Sequence, residues 1–394
     1  MHLSFYILLG LLLFINSVQA QQSSMDELLQ TVEANNKSLK AHRSYMESEN
    51  LQYNSENKLP DLQISAFYLP FGDHNTTDYS EFQVSQRIEF PTVYAARNNW
   101  MDGQSKRLEY EYQKLKQDIL LEAKKLGLGL IFLNKQRELV QERILKSKKV
   151  YDQIQTLFEK GKSSILNLNK AKIIWLDQQF ALEELDNREA AIRQKLKALN
   201  GGDELTFQLH SYPSTIGVTS TDSLWNTRLK EDPQIALLEQ EKQVAQQRLK
   251  VERNQLLPDI TVGYNYQGIA GSNYSGIYGG ISIPLWSGRN KVKVARARIN
   301  YNEHLQSAKI ISLKNEYSSE VQRYELLLRK FNQYTASMDG LNSEELLQKS
   351  YELGEISFMT YYAEISFYRD AENRMLEIEK ELQQLKADLF KYQL

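Results

Sequence analysis

Apolar positions along the chain follow two periods. In YSEFQVSQRIEF (79–90), Phe82, Val84, Ile88 and Phe90 fall on one face, while Glu81, Gln83, Ser85, Arg87 and Glu89 fall on the other. A period of two predicts a strand. Three more short segments repeat it: Leu62, Ile64, Ala66 and Tyr68; Ile260, Val262, Tyr264 and Tyr266; and Ile277, Gly279, Ile281 and Ile283. Between the strands the spacing lengthens. Leu108, Tyr112, Leu115, Ile119, Ala123, Leu126, Leu130, Leu133, Val140, Ile144, Tyr151, Ile154 and Phe158 recur at steps whose mean is about 3.57, between the coiled-coil and straight-helix values. No proline follows Pro91 before Lys160, so one helix of about 100 Å is expected there. Its charged flanks, as in KKLGLGLIFLNKQRE, read as solvated faces.

The pattern runs helix, strand, strand, very long helix, turn, helix, and then begins again. LPDLQISAFY at 59 and LPDITVGYNY at 257 are offset by 198, whereas Pro91 and Pro284, like Gly161 and Gly354, are offset by 193. The length difference therefore falls in the inter-strand loops. Pro60 and Pro258 end the incoming helices, and Pro91 and Pro284 suit the first turn of the outgoing ones. The expected organisation is a first repeat over 21–200, with strands about 61–70 and 79–90, a long helix about 91–160 and a return helix about 163–200. A joining segment covers 201–222. The second repeat covers 223–394, with strands about 259–267 and 275–284, a long helix about 285–353 and a return helix about 357–392.

Composition narrows the function. The stretch MHLSFYILLGLLLFINSVQA reads as an export signal over 1–20, with eleven apolar residues and a small-x-small end. No later window is long and apolar enough to cross a bilayer as a helix, so a membrane protein would have to cross as strands. The strands have the length of tilted membrane strands, and Phe67, Tyr68, Phe71, Tyr79, Phe90, Tyr274 and Trp286 cluster near their ends as interfacial aromatics do. Four strands do not close a barrel, but three chains would supply twelve, with FGDHNTTDYS and QGIAGSNYSG as outward loops. The rival reading is a periplasmic coiled-coil scaffold without a pore, its strands forming a small soluble sheet. With 48 basic and 50 acidic residues, nothing suggests nucleic acid, and the absence of cysteine excludes thiolate chemistry and disulfides. The five histidines, His2, His42, His74, His210 and His304, lie outside metal-ligand spacing of one another, and no nucleotide or nucleophile motif occurs. An enzyme is not expected.

FEKGKSSILNL (158–168) and YELGEISFMTY (351–361) share aromatic, Glu, any residue, Gly, two residues, Ser. Glycine can end one helix in left-handed geometry and serine can cap the next, so each marks a helical hairpin tip. Two such tips, and ISIPLWSGRNKVKVARARI as a strand-to-helix junction, resemble the TolC family of outer-membrane efflux and secretion ducts over nearly the whole mature chain. The resemblance implies a mainly α protein with a membrane β-barrel, in which four strands per chain complete a twelve-stranded barrel in a homotrimer, continued by an α-helical coiled-coil tunnel in the periplasm. It implies the outer-membrane component of a tripartite efflux or type I secretion system in a Gram-negative bacterium, a passive duct without cofactor. Its partners would be a periplasmic adaptor (membrane fusion) protein, an inner-membrane pump and outer-membrane lipid. Adaptor docking would fall on Phe158, Gly161, Ser164, Tyr351, Gly354 and Ser357. Lipid-facing barrel positions would be Phe82, Val84, Ile88, Ile260, Val262 and Ile281. Family members close the periplasmic aperture with aspartates six and nine residues after the second tip glycine, where this chain has Thr360 and Ala363, and the small residue expected one place later is Glu364. Either other groups there, such as Tyr361, Tyr362 or Glu364, make the constriction or gating is looser, and the candidate constriction is Thr360, Tyr361 and Glu364.

Overall fold

The computed structural model describes residues 25–69, 79–205, 211–213, 221–269, 271–286, 288, 290–338 and 343–394. The export signal, the tip of the first inter-strand loop with Phe71 and His74, and most of the joining segment with His210 lie outside these residues. The described elements are helices α1 (Met25–Asn35) and α2 (Lys37–Glu56), strands β1 (Gln63–Leu69) and β2 (Tyr79–Ile88), helices α3 (Pro91–Glu159), α4 (Ile165–Leu199), α5 (Thr221–Glu231) and α6 (Pro233–Asn254), strands β3 (Asp259–Ile269) and β4 (Ser272–Ser282), and helices α7 (Lys291–Met338), α8 (Ser343–Glu352) and α9 (Phe358–Leu389). They form two compact units. One comprises Lys40–Leu115 and Trp225–Asn315; the other comprises residues up to Leu39, Lys116–Leu224 and Glu316–Leu394.

The first of these units holds an antiparallel sheet in the order β1-β2-β3-β4. The glycine- and serine-rich run QGIAGSNYSG, expected as a loop, is mostly strand: Gln267 pairs with Tyr274, Gly268 with Asn273 and Ile269 with Ser272. Cross-strand pairing overrides the turn-like composition, and the connection shrinks to residues 270 and 271, with Gly271 taking a φ of 80°. Pro91 is the first residue of α3, as expected of a proline that gives up no needed donor. Pro284 is not its counterpart, because α7 begins only at Lys291, after the turn-forming run around Gly288. Pro233 does open α6, behind Asp232, whose carboxylate accepts from the Gln234 amide at 2.9 Å. Asp232 also pairs with Arg228 at 2.9 Å, and both side chains are almost fully buried.

In the other unit α3 is enclosed rather than striped. Every residue from Gly127 to Leu133 is buried. A Cβ on Gly127 would come within 2.9 Å of Leu28 on α1, Gly129 lies against Ile192 on α4, and the Lys380 ammonium on α9 sits 4.6 Å from the Phe132 ring centre. With neighbours on several sides, the helix is apolar all round at this level. The flanking charges correct the solvated-face expectation, because Lys125 pairs with Asp388 (2.6 Å), Lys135 with Glu379 (2.7 Å) and Arg137 with Asp186 and Glu189 (both 2.6 Å). Leu115, Leu126, Ile144 and Tyr151 are half-buried, and Phe158 is exposed.

Candidate functional site

Register decides what the sheet offers on each face. Ile64 pairs with Val84, Val84 with Tyr264 and Tyr264 with Ile277; Ile88 pairs with Ile260 and Ile260 with Ile281. Because neighbours in a ladder share a face, Phe82, Val84, Ile88, Ile260, Val262 and Ile281 all lie on one side. That side is solvent-exposed within the chain, reaching 87% at Ile277. Gln86 falls among these residues and donates from Nε2 to the Pro60 carbonyl at 2.6 Å. Among the described strand residues, no Asp, Glu, Lys or Arg lies on this face.

The opposite face carries Gln63, Ser65, Gln83, Ser85, Thr261, Asn265 and Gln267, with the charges of Glu81, Arg87 and Asp259. The register also corrects the aromatic assignment. Phe67, Glu81, Gln267 and Tyr274 form one cross-strand row, and Tyr79 is on the same side, so three of the aromatics taken as interfacial belong to the polar face. Tyr68 stays on the apolar face, and Trp286 is exposed beyond the end of β4. Alternation alone carries this signal, because Phe67 is next to Tyr68, Tyr79 has the parity of Glu81 and Tyr274 the parity opposite to Ile277, whereas nearness to a strand end says nothing of face.

The doubled turn has a backbone explanation. The Gly161 amide donates to the Phe158 carbonyl at 2.8 Å and the Lys162 amide to that of Leu157 at 2.7 Å; Gly354 donates to Tyr351 at 3.0 Å and Glu355 to Ser350 at 2.9 Å. This is the Schellman ending, twice in the same register, with φ of 70° at Gly161 and 77° at Gly354. Three residues on, Ser164 caps α4 by accepting from the Asn167 amide (3.3 Å), and Ser357 caps α9 by accepting from Thr360 (3.1 Å). Ser164→Ala and Ser357→Ala should each cost about 1 kcal/mol of local stability. Hydrogen exchange at the Asn167 and Thr360 amides checks this, and unchanged protection there would contradict the capping role.

The aromatic of each motif has no such backbone duty. Phe158 is 37% exposed, with Leu157, Ile165 and Leu166 exposed around the same turn. Tyr351 instead packs inward, stacked on Tyr361 with ring centres 5.1 Å apart. Tyr361 is 3% exposed in a core with Val150, Ile154, Ala171, Phe358 and Ile365, which joins α3, α4 and α9. Of the residues expected to narrow an aperture, Thr360 and Glu364 are exposed and Tyr361 is interior.

An ion-pair group above this core was not foreseen. Glu344 on α8 binds Lys146 (2.8 Å) and Arg369 (3.1 Å), and Arg143, only 9% exposed in its side chain, binds Glu372 at 2.7 Å. Burial works against ionisation of Glu344, but the Lys146 and Arg369 cations overcome it and hold its pKa below the ordinary carboxylate value. Their signal in the sequence was weak, because long-range pairs leave no spacing rule.

Among the described residues no helix is long and apolar enough to cross a membrane, and no group of residues could hold a metal ion. The sequence matches no protein-family signature and no curated protein. Solved structures do match. A structure of CusC, described in terms of transmembrane channel formation, aligns at 15% identity over 94% of this chain and 92% of that one, with a TM-score of 0.76. The CmeC outer membrane channel of Campylobacter jejuni aligns at 16% over 93% and 85%, TM-score 0.76. The outer membrane protein VceC of Vibrio cholerae aligns at 15% over 94% and 95%, TM-score 0.73. At such identities the likeness concerns architecture, and over nearly its whole length the chain has the TolC-type fold of outer-membrane channels.

Proposed function

We propose that the chain is one subunit of a homotrimeric outer-membrane channel in a Gram-negative bacterium, a passive duct rather than an enzyme. The observation that carries this is a four-stranded sheet with unpaired strands at both edges and one exposed, uncharged, apolar face. Free edges leave backbone donors and acceptors open to pairing, and hydrocarbon tolerates strands only when every such group is paired. Three copies joined β4 to β1 would close twelve strands, with the apolar face toward lipid and Gln83, Asn265 and Gln267 toward a wet lumen. The helices would extend this lumen through the periplasm.

The duct would receive its cargo from an inner-membrane pump through a periplasmic adaptor, in tripartite efflux or type I secretion. The exposed apolar turn around Phe158, repeated in geometry at Tyr351, supports adaptor docking at Phe158, Gly161, Ser164, Tyr351, Gly354 and Ser357. Since Tyr361 is packed inside the subunit, the narrow ring at the periplasmic end rests on Thr360 and Glu364. Purified protein in planar bilayers tests the whole reading: it should form discrete channels, and Glu364→Ala should raise their conductance. Protein that forms no channels would refute the duct, while unchanged conductance in Glu364→Ala would refute the ring alone.

A further inference from the structure

The polar face of the sheet has one charge that no opposite charge among the described residues pairs with. Its described strand residues include three ionised side chains, Glu81, Arg87 and Asp259. Arg87 and Asp259 neutralise each other, with Arg87 Nε donating to Asp259 Oδ2 at 3.0 Å and a second, closer bond from the same guanidinium. Among the described residues Glu81 has only neutral donors: the Tyr79 hydroxyl at 2.6 Å, Asn265 Nδ2 at 2.9 Å and Gln267 Nε2 at 3.5 Å. Arg87 is six residues along the same strand, about 20 Å away. Hydrogen bonds from both β2 and β3 hold the carboxylate at a fixed height, and Phe67 opposite it on β1 brings no charge.

From this geometry we infer that Glu81 is a charge-selecting residue of the pore and that its partners are permeant cations. The inference rests on the trimeric channel proposed above. Threefold symmetry turns one fixed carboxylate into a ring of three at one level of the lumen, close to the hairpin ends of the strands. A ring of like carboxylates raises the local concentration of cations and repels anions. Its reach is set by screening, about 30 Å at 0.01 M salt and about 3 Å at 1 M. A wide pore should therefore prefer cations in dilute salt and lose that preference in concentrated salt.

The reversal potential of the purified channel under a potassium chloride gradient gives the test. Wild type should favour potassium when both sides are near 0.01 M, and the preference should vanish near 1 M. In E81Q, which keeps the shape and an acceptor for the Asn265 and Gln267 amides, the cation-to-anion permeability ratio at low salt should fall below that of wild type, toward the value left by the Glu364 ring in series, and with Glu364→Ala added it should fall toward one. In E81K it should fall further than in E81Q. Each variant is first shown to form heat-resistant trimers, and E81Q serves if E81K does not assemble. A purely structural Glu81 would change thermal stability but not the salt-dependent reversal potential. If the variants keep the wild-type low-salt potential, the selectivity assignment is wrong while the channel stands; if wild type makes no channels, the duct reading fails and the ring with it.

Discussion

Val84→Arg is expected to cost about 2 to 4 kcal/mol and to deplete trimers from the outer membrane. Val84 lies at the middle of β2, in a row with Ile64, Tyr264 and Ile277 that runs across all four strands. If this row meets hydrocarbon at the bilayer midplane, a guanidinium there must either lose its hydration or distort the lipid, and no acidic residue on that face of the described sheet can pair with it. Gln83→Arg, one residue away, is the control. Its side chain faces the opposite way, where charge is already present and water is expected, so trimer yield should stay close to wild type. Heat-resistant trimers in isolated membranes measure both. Equal yields for the two variants would mean that the faces do not differ in solvent.

Tyr361→Ala should cost about 3 to 5 kcal/mol, the range for truncating a buried aromatic to alanine. The ring is enclosed by Val150, Ile154, Phe358 and Ile365 and stacked on Tyr351, so its removal takes away apolar burial and leaves a cavity at the place where the two hairpins share a core. Burial raises the pKa of the hydroxyl above the ordinary tyrosine value, so the neutral phenol is the form the core holds. Tyr361→Phe should therefore retain most of the stability. Denaturant unfolding of the two variants separates packing from pore lining: a side chain that lined an aperture would change conductance on truncation and leave the unfolding midpoint nearly where it was.

How much of this was legible in the sequence depends on the range of the interaction. The faces of individual strands could be read from alternation, because the side-chain period of a strand is fixed by backbone geometry. The hairpin tips were legible for a similar reason: Gly161, Gly354, Ser164 and Ser357 meet local backbone demands, and the structure gives those demands as Schellman and capping bonds. For Phe67, Tyr79 and Tyr274 the same alternation gives the polar face, and grouping them by nearness to a strand end misassigned them. Gly127–Leu133 was read as a stripe because one helix does not show how many neighbours it has. Tyr361 was read as lining for a related reason: its family position is near an aperture, whereas its burial depends on Tyr351 and on residues of two other helices. The Lys146–Glu344–Arg369 group joins residues far apart in the chain and could be found only in three dimensions.

The channel reading, and with it the expectations for Val84, Glu81 and Glu364, depends on which solvent meets Ile64, Val84, Tyr264 and Ile277. Extraction of bacterial membranes with alkaline carbonate, followed by sizing of the protein without and with detergent, measures that directly. The account predicts that the protein stays with the outer membrane and is released only by detergent, as a trimer. A natively folded monomer in the carbonate supernatant, stable in water without any surfactant, would contradict it.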